Sequence, residues 1–114
     1  DKGAYAVHGE IAKKYASING VESSLGAPVS GEQAISGGAL QTFQHGAIYW
    51  SPSTGAHFIM NGNIRDAWGK QGWENGAFGW PTADQEKIQS GGEKMTFQHG
   101  TISEVNGRIV EEKK

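Results

Sequence analysis

The sequence predicts an α+β fold made of a tandem repeat of about 53 residues, each copy with a short antiparallel β-meander and one short helix. First, the tetrapeptide Phe-Gln-His-Gly occurs at 43–46 and again at 97–100, 54 positions later. Second, a Gly-x-Pro segment at 26–28 returns at 79–81, 53 positions later. Third, apolar residues follow helical spacing before each Gly-x-Pro segment and alternate with polar residues around each tetrapeptide. Such a period indicates modules that cannot bury their apolar faces alone.

Length and composition favour one small domain. We expect residues 1–114 to form a single domain of two repeats, at about 1–54 and 55–107, with a partial third repeat starting at 107–114. Eighteen Gly with only three Pro indicate many tight turns rather than disorder.

Charge, hydropathy and cysteine content exclude several classes of function. A formal net charge of −2 without basic blocks argues against nucleic-acid binding. No apolar run reaches the roughly 18 residues of a membrane span. The absence of Cys excludes disulfides, thiolate zinc sites and cysteine nucleophiles. Residues 1–4 carry no signal-peptide apolar stretch, which leaves a cytosolic chain or a signal already removed as alternatives.

The chain is predicted to begin with a strand over residues 1–8, followed by an amphipathic helix. Ile11, Tyr15 and Ile18 lie at the i, i+4 and i+7 positions of one helical face. Asn19-Gly20 is typical of a helix C-terminus.

The second copy is expected to carry the same helix at 62–68. Ile64 matches Ile11, and Trp68 takes the place of Tyr15. Because Trp68 replaces a patterned apolar residue, we predict that it lies in the core.

Each helix is followed by a corner segment, Leu25-Gly26-Ala27-Pro28 in the first copy and Phe78-Gly79-Trp80-Pro81 in the second. Gly permits a tight turn, and Pro forces the residue before it out of the helical region. The polar stretches that follow, 29–38 and 82–92, are predicted as loops.

Alternation of apolar and polar residues predicts a strand at 40–44. A His45-Gly46 turn joins it to a second strand at 47–50, and a second turn at 51–55 leads to a third strand at 56–60. The second copy repeats this pattern, with strands at 94–98, 101–105 and 106–110 and a His99-Gly100 turn. The predicted core contains four apolar residues from each copy: Ile11, Leu25, Phe43, Ile48, Ile64, Phe78, Phe97 and Ile102.

Aromatic residues that are not repeated between the copies are the first candidates for a binding site. The apolar C–H faces of sugar rings stack on aromatic planes, while their hydroxyls bond to amides and carboxylates. Trp50, Trp73 and Trp80 fit this description, as does Tyr49, since Tyr49-Trp50 becomes Ser103-Glu104 in the second copy. The alternative for each is burial in the core.

The repeated Gln and His residues are the polar candidates. Gln44, His45, Gln98 and His99 could hydrogen-bond ligand hydroxyls. A simpler interpretation of each His is a turn residue, because His tolerates left-handed backbone conformations. No His spacing matches a metal site, and no nucleophile elbow, paired-carboxylate signature or phosphate loop is present, so we predict no metal, no cofactor and no enzyme activity.

These motifs together resemble the LGFP repeat family. The resemblance rests on the corner segments, the Phe-Gln-x-Gly pairs, Ile-Tyr-Trp-Ser at 48–51 and Thr-Gly-Ala-His at 54–57. The third corner position is usually aromatic in that family, whereas it is Ala27 in one copy and Trp80 in the other.

The resemblance implies a cell-wall role. Such repeats occur in secreted envelope proteins of actinobacteria, often appended to mycolyltransferases, esterases or peptidoglycan hydrolases, and are thought to anchor them to the wall. It therefore implies secretion to the envelope, an arabinogalactan or peptidoglycan type of polysaccharide as partner, and a fused or associated envelope enzyme. A protein–protein interaction module in an envelope assembly is the alternative.

Overall fold

The structure is a computed structural model that describes residues 6–7, 9–89 and 91–113. Over these residues the fold is α+β, with two α-helices and two four-stranded antiparallel sheets. The chain divides into two compact units, Asp1–Met60 and Asn61–Lys114. The predicted α+β class is thereby confirmed, while the predicted repeat limits near 54 and 107 stay predictions.

The first unit contains one helix and one sheet. Helix α1 (Gly9–Ser17) is followed by a single 3₁₀ turn, Gly20–Glu22. The strands pair in the order β1-β2-β3-β4. Their bounds are β1 Gln33–Ile35, β2 Gly38–Phe43, β3 Gly46–Ser51 and β4 Gly55–Met60.

The core of the first unit lies between α1 and the sheet. The helix packs on β3 and β4, and its one buried residue, Ile11, joins Leu25, Phe43 and Ile48 in an apolar cluster. Tyr15 lies at the edge of this cluster with its ring 4.7 Å from that of Phe43. The apolar spacing of the helix therefore marks the face that packs.

The second unit has the same order of elements. Helix α2 (Asn63–Lys70) precedes a 3₁₀ turn, Trp73–Asn75. The strands pair in the order β5-β6-β7-β8. Their bounds are β5 Glu86–Lys87, β6 Glu93–Phe97, β7 Gly100–Val105 and β8 Arg108–Lys113.

The core of the second unit forms beneath α2, which packs on β7 and β8. Trp68 is fully buried, with its ring 5.0 Å from that of Phe97, so its predicted core position is confirmed. All eight predicted core residues are buried, none with more than 2% of its surface exposed.

Four details of the prediction need correction or lie beyond the described residues. The predicted loops at 29–38 and 82–92 contain β1 and β5, two short edge strands. Asn106-Gly107 forms the turn before β8 rather than part of a strand, since both residues have positive φ. Of the predicted strand at 1–8, only residues 6–7 are described, and they belong to no strand.

The hairpin turns are also displaced by one residue. Strand β3 already begins at Gly46 and β7 at Gly100, so Gln44-His45 and Gln98-His99 form the turns. Neither His has a positive φ, so the left-handed explanation for the two His residues is wrong. The strands on either side are confirmed.

Candidate functional site

An open cavity of about 920 Å³ lies in the second unit, and we call it the Trp73 groove. Residues of α2, of the turn that follows it and of β8 form its lining. The side chains that matter most are Trp73 and four polar neighbours, Asp66, Lys70, Gln71 and Glu111.

Trp73 is the aromatic surface of this groove. It is 39% exposed, and its φ of 58° lies in the left-handed region, which is unusual for a bulky residue. The Arg65 guanidinium carbon lies 5.3 Å from the centre of the indole. The Trp68 ring packs against it almost perpendicularly, at 5.5 Å and 85°. The indole is therefore fixed on part of its surface and open on the rest.

The polar side chains of the groove carry both signs of charge. Asp66 and Glu111 supply exposed carboxylates, and Lys70 supplies an exposed ammonium group. Gln71 donates from Nε2 to the Ala67 carbonyl at 3.3 Å. Carboxylates accept bonds from hydroxyls and an ammonium group donates to them, so the groove suits a ring-shaped polyol with one apolar face.

Trp50 and Tyr49 do not form one surface. They are adjacent on β3, so their side chains point to opposite faces of the sheet. Tyr49 is only 4% exposed. Trp50 packs against the apolar cluster of the first unit and also lines a smaller cavity of about 320 Å³ with Glu10 and Glu32.

Gln44 and Gln98 join each hairpin turn to its corner segment. The Gln44 Oε1 accepts the Ala27 N–H at 3.0 Å, and the Gln98 Oε1 accepts the Trp80 N–H at 3.0 Å. Trp80 itself is half-buried. The amide oxygens of both Gln residues are therefore engaged in hydrogen bonds that join the hairpin turn to the corner segment.

His45 and His99 contribute their backbone to the same junctions. The His45 N–H donates to the Leu25 carbonyl and the His99 N–H to the Phe78 carbonyl, both at 3.0 Å. Both His residues are exposed at the hairpin turns and neither lines the Trp73 groove.

Each helix is also bonded to its corner segment. The Tyr15 hydroxyl donates to the Gly26 carbonyl at 2.7 Å, and the Trp68 Nε1 donates to the Gly79 carbonyl at 3.1 Å. Burial raises the pKa of the Tyr15 hydroxyl above its usual 10.0.

Among the predicted site residues, only Trp73 lines the Trp73 groove. Asp66 and Lys70 were missed because charged residues on a helix are usually solvated, and Glu111 was missed because it comes from a separate strand, β8. A signal for Asp66 and Lys70 existed in their i, i+4 spacing, which places both on one face of α2.

The described residues include no cluster of three or more His, Cys, Asp or Glu side chains able to hold a metal ion. None of the helices over these residues is long and apolar enough to span a membrane.

Comparison with known proteins gives one family. No curated protein matches the chain. The family model of the LGFP repeat matches residues 25–76, from the first corner segment to the end of the turn after α2. The match of residues 25–76 to the LGFP repeat agrees with the family resemblance that the sequence motifs predicted.

Proposed function

We propose that the protein is a non-catalytic module that binds a cell-envelope polysaccharide of the arabinogalactan or peptidoglycan type. The observation that carries this proposal is the Trp73 groove, where a half-exposed indole adjoins two carboxylates and an ammonium group. The family match supports the same conclusion, since the resemblance implies wall anchoring in secreted envelope proteins.

The chemistry of the groove fits a sugar better than an apolar or a highly charged ligand. An indole offers an apolar plane to the C–H face of a sugar ring. Asp66, Glu111 and Lys70 line the same groove and supply two acceptors and one donor for the hydroxyls of such a ring. Because both signs of charge occur side by side, a polymer of one charge sign would meet a like charge in the groove.

We also propose that the two units are tandem copies of one module. The support is a set of matched contacts: in both units a Gln Oε1 holds the third corner residue, and a helix side chain bonds to the corner Gly carbonyl. Pro28 bridges to Phe43 as Pro81 bridges to Phe97. The copies then share a scaffold and differ in their surface residues.

The direct test is titration of soluble arabinogalactan and of solubilised peptidoglycan into the protein by calorimetry, beside sedimentation with purified, protein-free walls. We expect saturable binding that Trp73→Asn removes, since Asn tolerates the left-handed backbone at this position. Val21→Ala, an exposed apolar residue outside the groove, is the matched control and should bind normally.

Two results would contradict the proposal. One is no association with either polysaccharide or with the walls. The other is wall binding that Trp73→Asn leaves unchanged, since the groove would then not be the site. Retention of the chain by envelope proteins but not by protein-free walls would favour the alternative, a protein–protein interaction module.

A further inference from the structure

We propose that Arg65 and Gly69 are positioning residues that hold the Trp73 indole in its ligand-binding orientation, and that the first unit has no counterpart of this device. The inference rests on the proposed function and describes how its site is built. Equivalent positions of the two units lie 53 residues apart in the sequence.

The backbone at Trp73 has the conformation of its glycine counterpart. Trp73 opens the second 3₁₀ turn with φ 58°, and Gly20 opens the first with φ 55°. Glycine adopts this region freely, whereas a residue with a large side chain is strained there. The second unit thus keeps an indole where the fold favours glycine.

Gly69 provides the space that the indole occupies. A Cβ atom at Gly69 would lie 2.6 Å from both Cη2 and Cζ2 of Trp73, closer than any real contact. The equivalent residue of the first unit is Ala16. Glycine weakens a helix relative to alanine, so α2 accepts a poorer helix former where the ring crosses it.

Arg65 covers part of the same ring. Its guanidinium carbon lies 5.3 Å from the indole centre, while Nη1 donates to the Asn61 Oδ1 at 2.8 Å. This second bond fixes the guanidinium while it stacks. The equivalent residue of the first unit is Ala12, which can do neither.

Three differences between the units therefore meet at one side chain: Ala12 against Arg65, Ala16 against Gly69 and Gly20 against Trp73. Two of them, the strained backbone and the helical glycine, are unfavourable for folding. The ring is nevertheless held in one orientation and is 39% exposed at the edge of a groove. Stacking on a sugar requires both properties.

The test is a double-mutant cycle on the full chain with Gly69→Ala, Trp73→Gly and both together, the last of which reproduces the Ala16 and Gly20 pair of the first unit. The readouts are the Trp73 indole N–H resonance, assigned by its loss in Trp73→Gly, the affinity for soluble arabinogalactan, and thermal unfolding. Ala16→Gly is the matched control in α1.

We expect Gly69→Ala to shift the Trp73 resonance and to weaken binding by about tenfold or more, with far-ultraviolet circular dichroism unchanged. The added methyl should lower the unfolding temperature when Trp73 is present and raise it when residue 73 is glycine. Arg65→Ala should act like Gly69→Ala on resonance and affinity, and Arg65→Lys should restore part of both. Ala16→Gly should change neither the Trp73 resonance nor the affinity for arabinogalactan.

A native Trp73 resonance and native affinity in both Gly69→Ala and Arg65→Ala would overturn the inference. An unfolding effect of Gly69→Ala that is the same with and without Trp73 would also overturn it. If the unaltered protein binds no polysaccharide, the proposed function fails, yet the resonance and the unfolding cycle still decide whether Arg65 and Gly69 position the indole.

Discussion

Replacing Gln98 with alanine should destabilise the second unit by about 1–3 kcal/mol, the usual cost of leaving a buried donor without its acceptor. The donor is the backbone N–H of Trp80, which lies 3.0 Å from the Gln98 Oε1 in a half-buried junction. Because the Gln98 side chain is itself half-buried, water has limited access to this N–H once the acceptor is removed.

The matching change in the first unit sets the scale. Gln44 makes the same bond to the Ala27 N–H at 3.0 Å, but its side chain is exposed, so water can replace the lost acceptor. We expect Gln44→Ala to cost about 0.5–1 kcal/mol. In a domain of this size each kcal/mol lowers the midpoint of thermal unfolding by roughly 4–8 °C.

Gln98→Glu is the control that separates folding from binding. It keeps an acceptor oxygen for Trp80 and removes the amide NH₂ donor. Measured by urea unfolding at pH 7, Gln98→Glu should stay close to the unaltered protein while Gln98→Ala does not. If Gln98 also binds ligand through its NH₂ group, Gln98→Glu should weaken arabinogalactan binding without loss of stability.

An equal loss of stability in Gln98→Ala and Gln98→Glu would contradict this prediction, because the acceptor oxygen would then not matter. A loss in Gln98→Ala no greater than the loss in Gln44→Ala would also contradict it, because burial of the junction would then have no effect.

Three further changes test the first unit. Tyr15→Phe removes the hydroxyl bond to the Gly26 carbonyl and should cost about 1 kcal/mol in urea unfolding. Burial raises the pKa of Tyr15, so the unfolded chain ionises at a lower pH than the folded chain. The stability that Tyr15 contributes is therefore intact below pH 10.0 and falls as the pH rises above that value. Tyr15→Phe should remove this fall. Gly46→Ala should cost about 1–3 kcal/mol, because its methyl would collide with the Ile59 carbonyl, whereas Gly31→Ala, with nothing within 4 Å, should stay within about 0.5 kcal/mol.

The fold could be predicted from the sequence where the pattern of apolar and polar residues matches the pattern of burial. Phe43 lies between the polar residues Thr42 and Gln44, and its side chain packs in the cluster beneath α1, so its buried position is readable without a structure. Strand β1 was missed for the opposite reason. Gln33 and Ala34 are exposed at a sheet edge, so nothing in their hydropathy distinguishes a strand from a loop.

The candidate site was predictable only in part. Trp73 stood out because the other copy has no aromatic residue there, but the contribution of Asp66 and Glu111 depends on how α2 lies against β8. Tyr49 stood out for the same reason as Trp73, yet it is buried. Tertiary packing decides which of the unrepeated aromatic residues stays exposed, and the local sequence pattern does not encode that packing.

The family match and the compact units divide the chain at different places: the match excludes helix α1 and includes helix α2. The matched residues 25–76 cross the boundary at Met60, so they include the sheet β1–β4 without α1, and α2 without the sheet on which it packs. A fragment cut at the match would leave Leu25, Phe43 and Ile48 without the cover of Ile11. Division at 60/61 keeps each helix with its own sheet, so the stretch that defines the family in sequence is not the stretch to express for refolding.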